Sequence, residues 1–228
     1  MRDGGSCFPK DTLALIKTAQ DNASPLRIIE TVVAANDGRK RGMFRKVATA
    51  LGGRLRGRLI AVLGLTFKPN TDDMRDAPSI SLITALTDKG ASIRVYDPVG
   101  MEHAKQYLPD VAFACDPYAC AEAADALVIM TEWEQFRALD LKRLKQVMNT
   151  PVLVDLRNIY QADEVRRHGF AYESVGRPSQ QQLKIDNCFF DSIAFAPGRK
   201  MRVMVTSRRA AMRPKEHSPT GADDSFRA

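Results

Sequence analysis

Cys7 has the neighbours that covalent chemistry requires. It stands in the segment Gly4-Gly5-Ser6-Cys7-Phe8-Pro9-Lys10-Asp11, with a cation three positions on and a carboxylate four on. A thiol attacks carbon only as its thiolate, and a nearby positive charge or a helix N-terminus lowers its pKa toward neutrality. The glycines before it let backbone approach a substrate closely. This setting suits a nucleophile that captures an electrophilic carbon. It also suits a small hydrophobe buried in a loop ahead of a helix.

Other residues could handle anions. Gly64-Leu65-Thr66-Phe67-Lys68 follows a short apolar run, which places its backbone N–H groups and Lys68 at a strand end, where open α/β sheets bind ligands. The alternative for Lys68 is a solvated loop lysine. Arg157 follows Asp155-Leu156 at a second strand end. A guanidinium there can grip a diphosphate through paired N–H bonds, or it can pair with Asp155 or another neighbour. Arg75 lies in Asp72-Asp73-Met74-Arg75-Asp76 and on its own terms pairs with those carboxylates. Asp97 also ends a strand. In a nicotinamide-binding domain that position would hold a ribose hydroxyl, but no Gly-x-Gly-x-x-Gly lies between a strand and a helix here, so a structural cap fits it better.

The three histidines, His103, His168 and His217, are isolated in sequence and read as ordinary surface residues. Trp133 is expected to pack in the loop after a strand ending at Met130. The four cysteines include no C-x-x-C pair and have too few histidine partners for a zinc site. Cys115 and Cys120 read as structural thiols, and no metal is expected.

These residues need a scaffold to bring them together. Residues 11–20 read as a helix with Asp11 near its cap, where a carboxylate can accept unsatisfied N–H bonds. A turn through Pro25 leads to a long helix over 25–51, ended by Gly52-Gly53. Its first half carries the apolar residues Ile28, Ile29, Val32 and Val33, and its middle carries Arg39, Lys40, Arg41, Arg45 and Lys46. Strands follow at 59–64, 92–97, 111–113, 126–130 and 152–155, with helices at 78–89, 99–107, 119–124 and 141–147. Such alternation implies an α/β fold with a doubly wound parallel sheet over residues 57–177. From about Ser179 the periodicity fades, and 179–228 reads as disordered or non-native, with one stray strand at 201–205.

Four ordered segments together resemble the UDP-glucose/GDP-mannose dehydrogenase family. They are the cysteine motif itself; the helix at 26–47 with Val32-Val33-Ala34-Ala35-Asn36-Asp37; Gly64 through Arg75; and Val154-Asp155-Leu156-Arg157-Asn158 with Gly176-Arg177-Pro178. The resemblance covers roughly residues 4–178. It implies an enzyme that oxidises the C6 alcohol of a nucleotide sugar to a carboxylate with two NAD, most like the oxidation of UDP-glucose. It implies Cys7 as the nucleophile that forms a thioester, Lys10 as a stabiliser of nearby charge and Asp11 as the carboxylate that assists water. Phe67, Lys68 and Arg157 would contact substrate, and Arg75 would lie near NAD. The Rossmann-like sheet domain, 57–178, would bind the UDP-sugar. Residues 1–56 would supply the cysteine loop and a central dimerisation helix, making the protein a homodimer. The family's NAD domain precedes the cysteine motif, and this chain begins three residues before it. The chain therefore reads as a C-terminal portion, from a split gene, a truncated frame or an engineered fragment, and expected to be inactive unless a partner chain supplies the NAD domain. The rival reading is a non-catalytic nucleotide-sugar-binding and dimerisation fragment.

Composition narrows the classes further. A hydrophobic content of 44% supports a folded core, while no apolar run approaches the ~18 residues of a membrane span. The start does not resemble a secretory signal, so a cytoplasmic protein is expected. The net charge of +7 invites a nucleic-acid reading. More than half of it lies beyond residue 178, with nine Lys/Arg against five Asp/Glu. Without interleaved aromatics or a known motif, nucleic acid is not an expected partner.

Overall fold

A computed structural model describes the backbone of residues 7–177 and the side chains from Pro9 onward. The segment 179–228, with Cys188, His217 and the strand expected at 201–205, lies outside the described residues, as does the side chain of Cys7.

Two helices lead the chain. Helix α1 (Cys7–Asp21) begins four residues earlier than the sequence suggested. Pro9 is no obstacle, because the first turn of a helix has no intrahelical use for its N–H. Asp11 consequently sits in the second turn and is not a cap. Cys7, Lys10 and Asp11 fall at i, i+3 and i+4, the spacing that shares one helix face. A turn held by Ser24 N–H to Ala19 O (2.9 Å) leads to α2 (Arg27–Ala50), about 36 Å long at 1.5 Å per residue. Its end is a paired glycine cap: Gly52 N–H reaches Thr49 O (3.0 Å) and Gly53 N–H reaches Ala48 O (2.8 Å), both glycines having positive φ.

The rest is one parallel sheet. Its strands are β1 (Leu59–Leu63), β2 (Ser92–Tyr96), β3 (Ala112–Phe113), β4 (Ala126–Ile129), β5 (Val152–Asp155) and β6 (Ala171–Ser174). They lie in the order β3-β2-β1-β4-β5-β6, the doubly wound arrangement, whose order reverses between β1 and β4. The helices are α3 (Pro78–Asp88), α4 (Met101–Tyr107), α5 (Pro117–Ala121), α6 (Glu134–Arg137), α7 (Leu141–Val147) and α8 (Ala162–Arg167).

Strand alternation divides the core into two layers. Ile60, Val62, Val128 and Val154 face one side, and Ala61, Leu63, Leu127, Ile129 and Leu153 face the other. Residues of α3 and α4 join the first layer; those of α5, α6, α7 and α8 join the second. Among the described residues, the helix on the first face opposite β5 and β6 is α2. The C-terminal half of α2 lies there, touching both strands and driving a fully buried Val47 into the core beside Met43, Phe44 and Leu51. The N-terminal half of α2 and all of α1 bury no described side chain, and Ile28 is 82% exposed.

The sequence missed three short elements, α6, α8 and β6. In β6 only Tyr172 is a large buried residue, so no apolar run marks the strand. Helix α5 starts two residues before its expected place because Asp116 Oδ1 accepts from Tyr118 N (2.8 Å) and Ala119 N (3.0 Å) ahead of Pro117, an N-cap followed by a first-turn proline. Helix α4 starts later than expected because Asp97 holds Val99 and Gly100 in a turn.

At the reversal point β1 must pass close to the loop after β4. Gly64 has φ 85°, and a Cβ there would lie 2.5 Å from Thr131 Cβ and 2.7 Å from its amide N. Gly64→Ala should therefore lower the unfolding free energy by about 3 kcal/mol. Gly52→Ala, at φ 66° with open space around it, should cost only about 1 kcal/mol of strain. Urea titration of both variants checks the contrast, and equal losses would contradict it.

Candidate functional site

The loop after β1 is pinned from beneath by one carboxylate. Asp97, 1% exposed at the end of β2, accepts at Oδ2 from Leu65 N (2.7 Å), Thr66 N (3.3 Å) and Trp133 Nε1 (3.2 Å). Its Oδ1 accepts from Val99 N (3.0 Å) and Gly100 N (2.7 Å). A Cβ on Gly100 would stand 2.4 Å from Thr66 Cγ2, so the packing closes over the carboxylate. Asp97 is a structural anchor, and Trp133 packs where the sequence placed it. Thr131 Oγ1 donates to Thr66 O, tying the β4 loop to the same segment.

Above this floor sit the residues expected to meet substrate. Phe67 is half-buried and Lys68 exposed; Lys68 Nζ lies 5.2 Å from the centre of the Phe67 ring, a cation–π distance. Arg157 arrives from the end of β5. Its Nη2 donates to Phe67 O (3.1 Å), its Nε donates to Met130 O, and Nε lies 3.2 Å from Glu132 Oε2. One guanidinium thus links the ends of β1, β4 and β5, and the fold brings Phe67, Lys68 and Arg157 together. The ion pair weighed for Arg157 exists, but with Glu132. Asp155 instead accepts from the Arg157 backbone N (3.0 Å), Tyr160 N (3.0 Å) and Tyr172 hydroxyl (2.9 Å). Burial, followed by the Asp155 charge, raises the Tyr172 phenol.

Glu132 was not singled out from the sequence. Its signal was present: a carboxylate two residues after the apolar stretch 126–130, at a strand end that a doubly wound sheet turns toward its crevice.

A second concavity of about 730 Å³ runs between α1, α2 and the loop at 72–76. Lys10 from α1, Val32, Val33 and Lys40 from α2, and Arg75 with Tyr107 line it. Lys10 and Arg75 therefore share one cleft, below the helix end that begins at Cys7. Asp11 is exposed and is not among the lining residues. Arg75 grips Asp73 through Nε to Oδ1 and Nη2 to Oδ2, both 2.9 Å, which holds the Asp73 carboxyl below its ordinary pKa. The carboxylate partner and the cleft position hold at once.

His103 is not isolated. From α4 its Nδ1 lies 3.4 Å from Asp72 Oδ2 and 3.2 Å from Asp72 O, so it steadies the loop that carries Arg75. Cys120 is buried with Sγ 3.3 Å from Arg94 O, and burial pushes its thiol up to about 12. Cys115, expected to be structural, is exposed, because β3 ends at Phe113 and the chain turns outward before α5. Among the described residues no group of His, Cys, Asp and Glu is arranged to hold a metal, and no helix is long and apolar enough to cross a membrane.

Fold and crevice together define a doubly wound α/β protein of the Rossmann class with a helical arm. Residues 61–162 match the UDP binding domain of the UDP-glucose/GDP-mannose dehydrogenase family, and residues 1–38 match its central domain; the chain belongs to this family. It is 64% identical to the UDP-glucose 6-dehydrogenase of Rhizobium meliloti (strain 1021) over 175 residues, which cover 77% of this chain and 40% of that protein. It is 43% identical to the enzyme of the same name from Pseudomonas aeruginosa, covering 79% of this chain and 41% of that one. Among solved structures it is similar to a UDP-glucose dehydrogenase from Pyrobaculum islandicum, with TM-score 0.66 and 35% identity over 77% of this chain and 38% of that chain. It is also similar to the NDP-N-acetyl-D-galactosaminuronic acid dehydrogenase of Methanosarcina mazei Go1, with TM-score 0.68 and 28% identity over 76% and 38%. The chain spans about 40% of the length of the curated relatives it matches.

The thiols should separate under limiting iodoacetamide at neutral pH. Cys7, on the first turn of a helix, should label first, Cys115 later, and Cys120 only on unfolding. Peptide mass spectrometry reads the order; labelling of Cys120 in the folded chain, or of Cys115 ahead of Cys7, would contradict it.

Proposed function

We propose that this chain is the substrate-binding and cysteine-bearing part of an NAD-dependent nucleotide-sugar dehydrogenase, acting on UDP-glucose to give UDP-glucuronate. The observation that carries the reading is the bond from Arg157 Nη2, after β5, to Phe67 O, which ties that guanidinium to the β1 loop carrying Lys68. Two cations at the carboxyl ends of parallel strands suit a diphosphate. The 64% identity to a UDP-glucose 6-dehydrogenase supports the choice of sugar. Cytoplasm is the compartment we assign.

In this reading Lys68 and Arg157 hold the diphosphate while the sugar extends toward α1. The Cys7 thiolate bonds to the C6 carbonyl carbon of the aldehyde, keeping a reactive intermediate attached between the two oxidations. Lys10 balances the negative charge that develops beside it. Asp11 accepts a proton from the water that hydrolyses the thioester, releasing carboxylate and thiol. Arg75, at the edge of the cleft, is the described residue that would contact NAD, whose chemistry would be that of hydride acceptor for both oxidations. The sheet crevice does not itself fit a dinucleotide: Asp97, in the place that would hold a ribose hydroxyl, is already enclosed by Leu65, Thr66, Val99, Gly100 and Trp133. The NAD site then belongs to a further domain, on the same or a partner chain, and NADH production should depend on its presence.

Calorimetry on the full chain tests the assignment. UDP-glucose should bind more tightly than NAD, and Arg157→Ala or Lys68→Ala should weaken UDP-glucose by about 1.5–3 kcal/mol, one charge-assisted phosphate contact. Tighter binding of NAD, or unchanged affinity in both variants, would reject it.

The exposed apolar side of the arm points to a homodimer. Ile28, at the start of α2, is 82% exposed, and a two-fold axis beside α2 would bury the same residue from each subunit. Each well-buried aliphatic side chain contributes roughly 1.5–3 kcal/mol. Ile28→Asp should therefore give a folded monomer in sedimentation with an unchanged circular dichroism spectrum. A monomeric unmutated chain at micromolar concentration would refute the dimer.

A further inference from the structure

We propose that Glu132 is a positioning residue for Arg157, setting the guanidinium in the orientation that receives the substrate diphosphate. The inference rests on the reading of Arg157 as a diphosphate contact. Arg157 is a long side chain with many rotamers, and whatever geometry it must adopt with ligand costs entropy unless it is already held. Glu132 and Arg157 come from adjacent strand ends, after β4 and β5. Their side chains are 16% and 17% exposed, and Oε2 stands 3.2 Å from Nε. Two edges of the planar fork are set by hydrogen bonds, Nε to Met130 O and Nη2 to Phe67 O, and the Glu132 carboxylate stands beside Nε as the counter-charge. Fixing two edges of a rigid plane fixes the third. The carbonyls alone would hold the guanidinium through neutral acceptors. The carboxylate adds the charge that makes withdrawal of a cation from water tolerable, and an ion pair mostly removed from water is sensitive to the loss of either partner. The same guanidinium bonds the carbonyl preceding Lys68, so its placement carries over to the second cation of the site.

A double-mutant cycle on the full chain tests this, with UDP-glucose titrated calorimetrically into the unmutated protein, Glu132→Ala, Arg157→Ala and the double variant. Arg157→Ala should weaken binding about tenfold or more, and Glu132→Ala alone about tenfold. The double variant should bind within twofold of Arg157→Ala, because Glu132 acts through Arg157. Uridine, which lacks the diphosphate, should bind all four proteins alike, a readout that general loss of structure would move. If Glu132→Ala does not fold, Glu132→Gln serves: it keeps an acceptor oxygen and loses the charge, and should weaken UDP-glucose by a smaller factor that again vanishes in the Arg157→Ala background. Full affinity in a folded Glu132→Ala with weakened Arg157→Ala would overturn the positioning role alone. Additive losses, or tighter binding in Glu132→Ala, would overturn it too. Unchanged affinity in Arg157→Ala would remove the reading beneath it.

Discussion

A carboxylate taken out of water must be met by donors, and the donors Asp97 finds are the backbone amides of the loop that carries Phe67 and Lys68. Everything above the crevice depends on that match. Leu65 and Thr66 are drawn to Oδ2, Val99 and Gly100 to Oδ1, and the Trp133 indole closes the side. Leaving any of these groups buried and unbonded costs on the order of 1–3 kcal/mol, so the loop has little freedom to rearrange. Gly64 makes the approach to Thr131 sterically feasible, and the Thr131 hydroxyl then bonds Thr66 O. A flexible glycine-started loop becomes a rigid shelf, and Arg157 is laid across it from β5.

The same arrangement determines what the sheet can hold. A doubly wound sheet is a common nucleotide scaffold, and its ligand is decided by the strand ends and not by the fold. Dinucleotide sites use glycine-rich backbone at the first turn and a free carboxylate at the second strand for ribose. Here the second-strand carboxylate is internal and the first turn presents an aromatic ring and a lysine. In the proposed reading the crevice offers Lys68 and Arg157 where a dinucleotide site would offer a carboxylate and bare backbone amides, which suits anionic oxygen.

Much of this was legible in the sequence where the signal was long or chemically dense. The strands at 59–63, 126–129 and 152–155 are apolar runs, as expected for strands covered on both faces, and their alternation with helices implied the parallel sheet. The glycine pair after α2 marked its end. What escaped detection was short or depended on tertiary partners. Strand β6 has few apolar residues because it is an edge strand, and α6 and α8 are too brief to show a period. The early start of α1 was hidden because Pro9 reads as a loop residue unless it falls in a first turn. Asp97 had two plausible roles, and only the depth of its burial distinguishes them. Glu132 looked like any loop carboxylate until Arg157 was placed against it, because the pairing joins residues 25 apart through adjacent strands. Sequence spacing exposes neighbours on one helix or strand; contacts between strand ends follow from strand order.

The helical arm joins the two halves of the proposed chemistry. The far end of α2 covers β5 and β6, with Val47 as its buried anchor, while its near end carries no buried side chain. A continuous helix transmits position over its whole length because its backbone bonds are internal. Its C-terminal packing therefore sets where the cleft lined by Lys40, Lys10 and Arg75 lies relative to the sheet. The loop at 72–76 closes the circuit: it leaves the crevice at Lys68, is steadied by His103 and the Arg75–Asp73 pair, and enters α3, which packs against α2. A displacement of α2 would move one wall of the cleft and, through α3 and this loop, the crevice as well. The cysteine end and the cation pair are thus held at a set separation by one rigid helix and one cross-braced loop. In the proposed reading a nucleotide sugar runs from the one to the other, so this helix and this loop are what would fix the register between them.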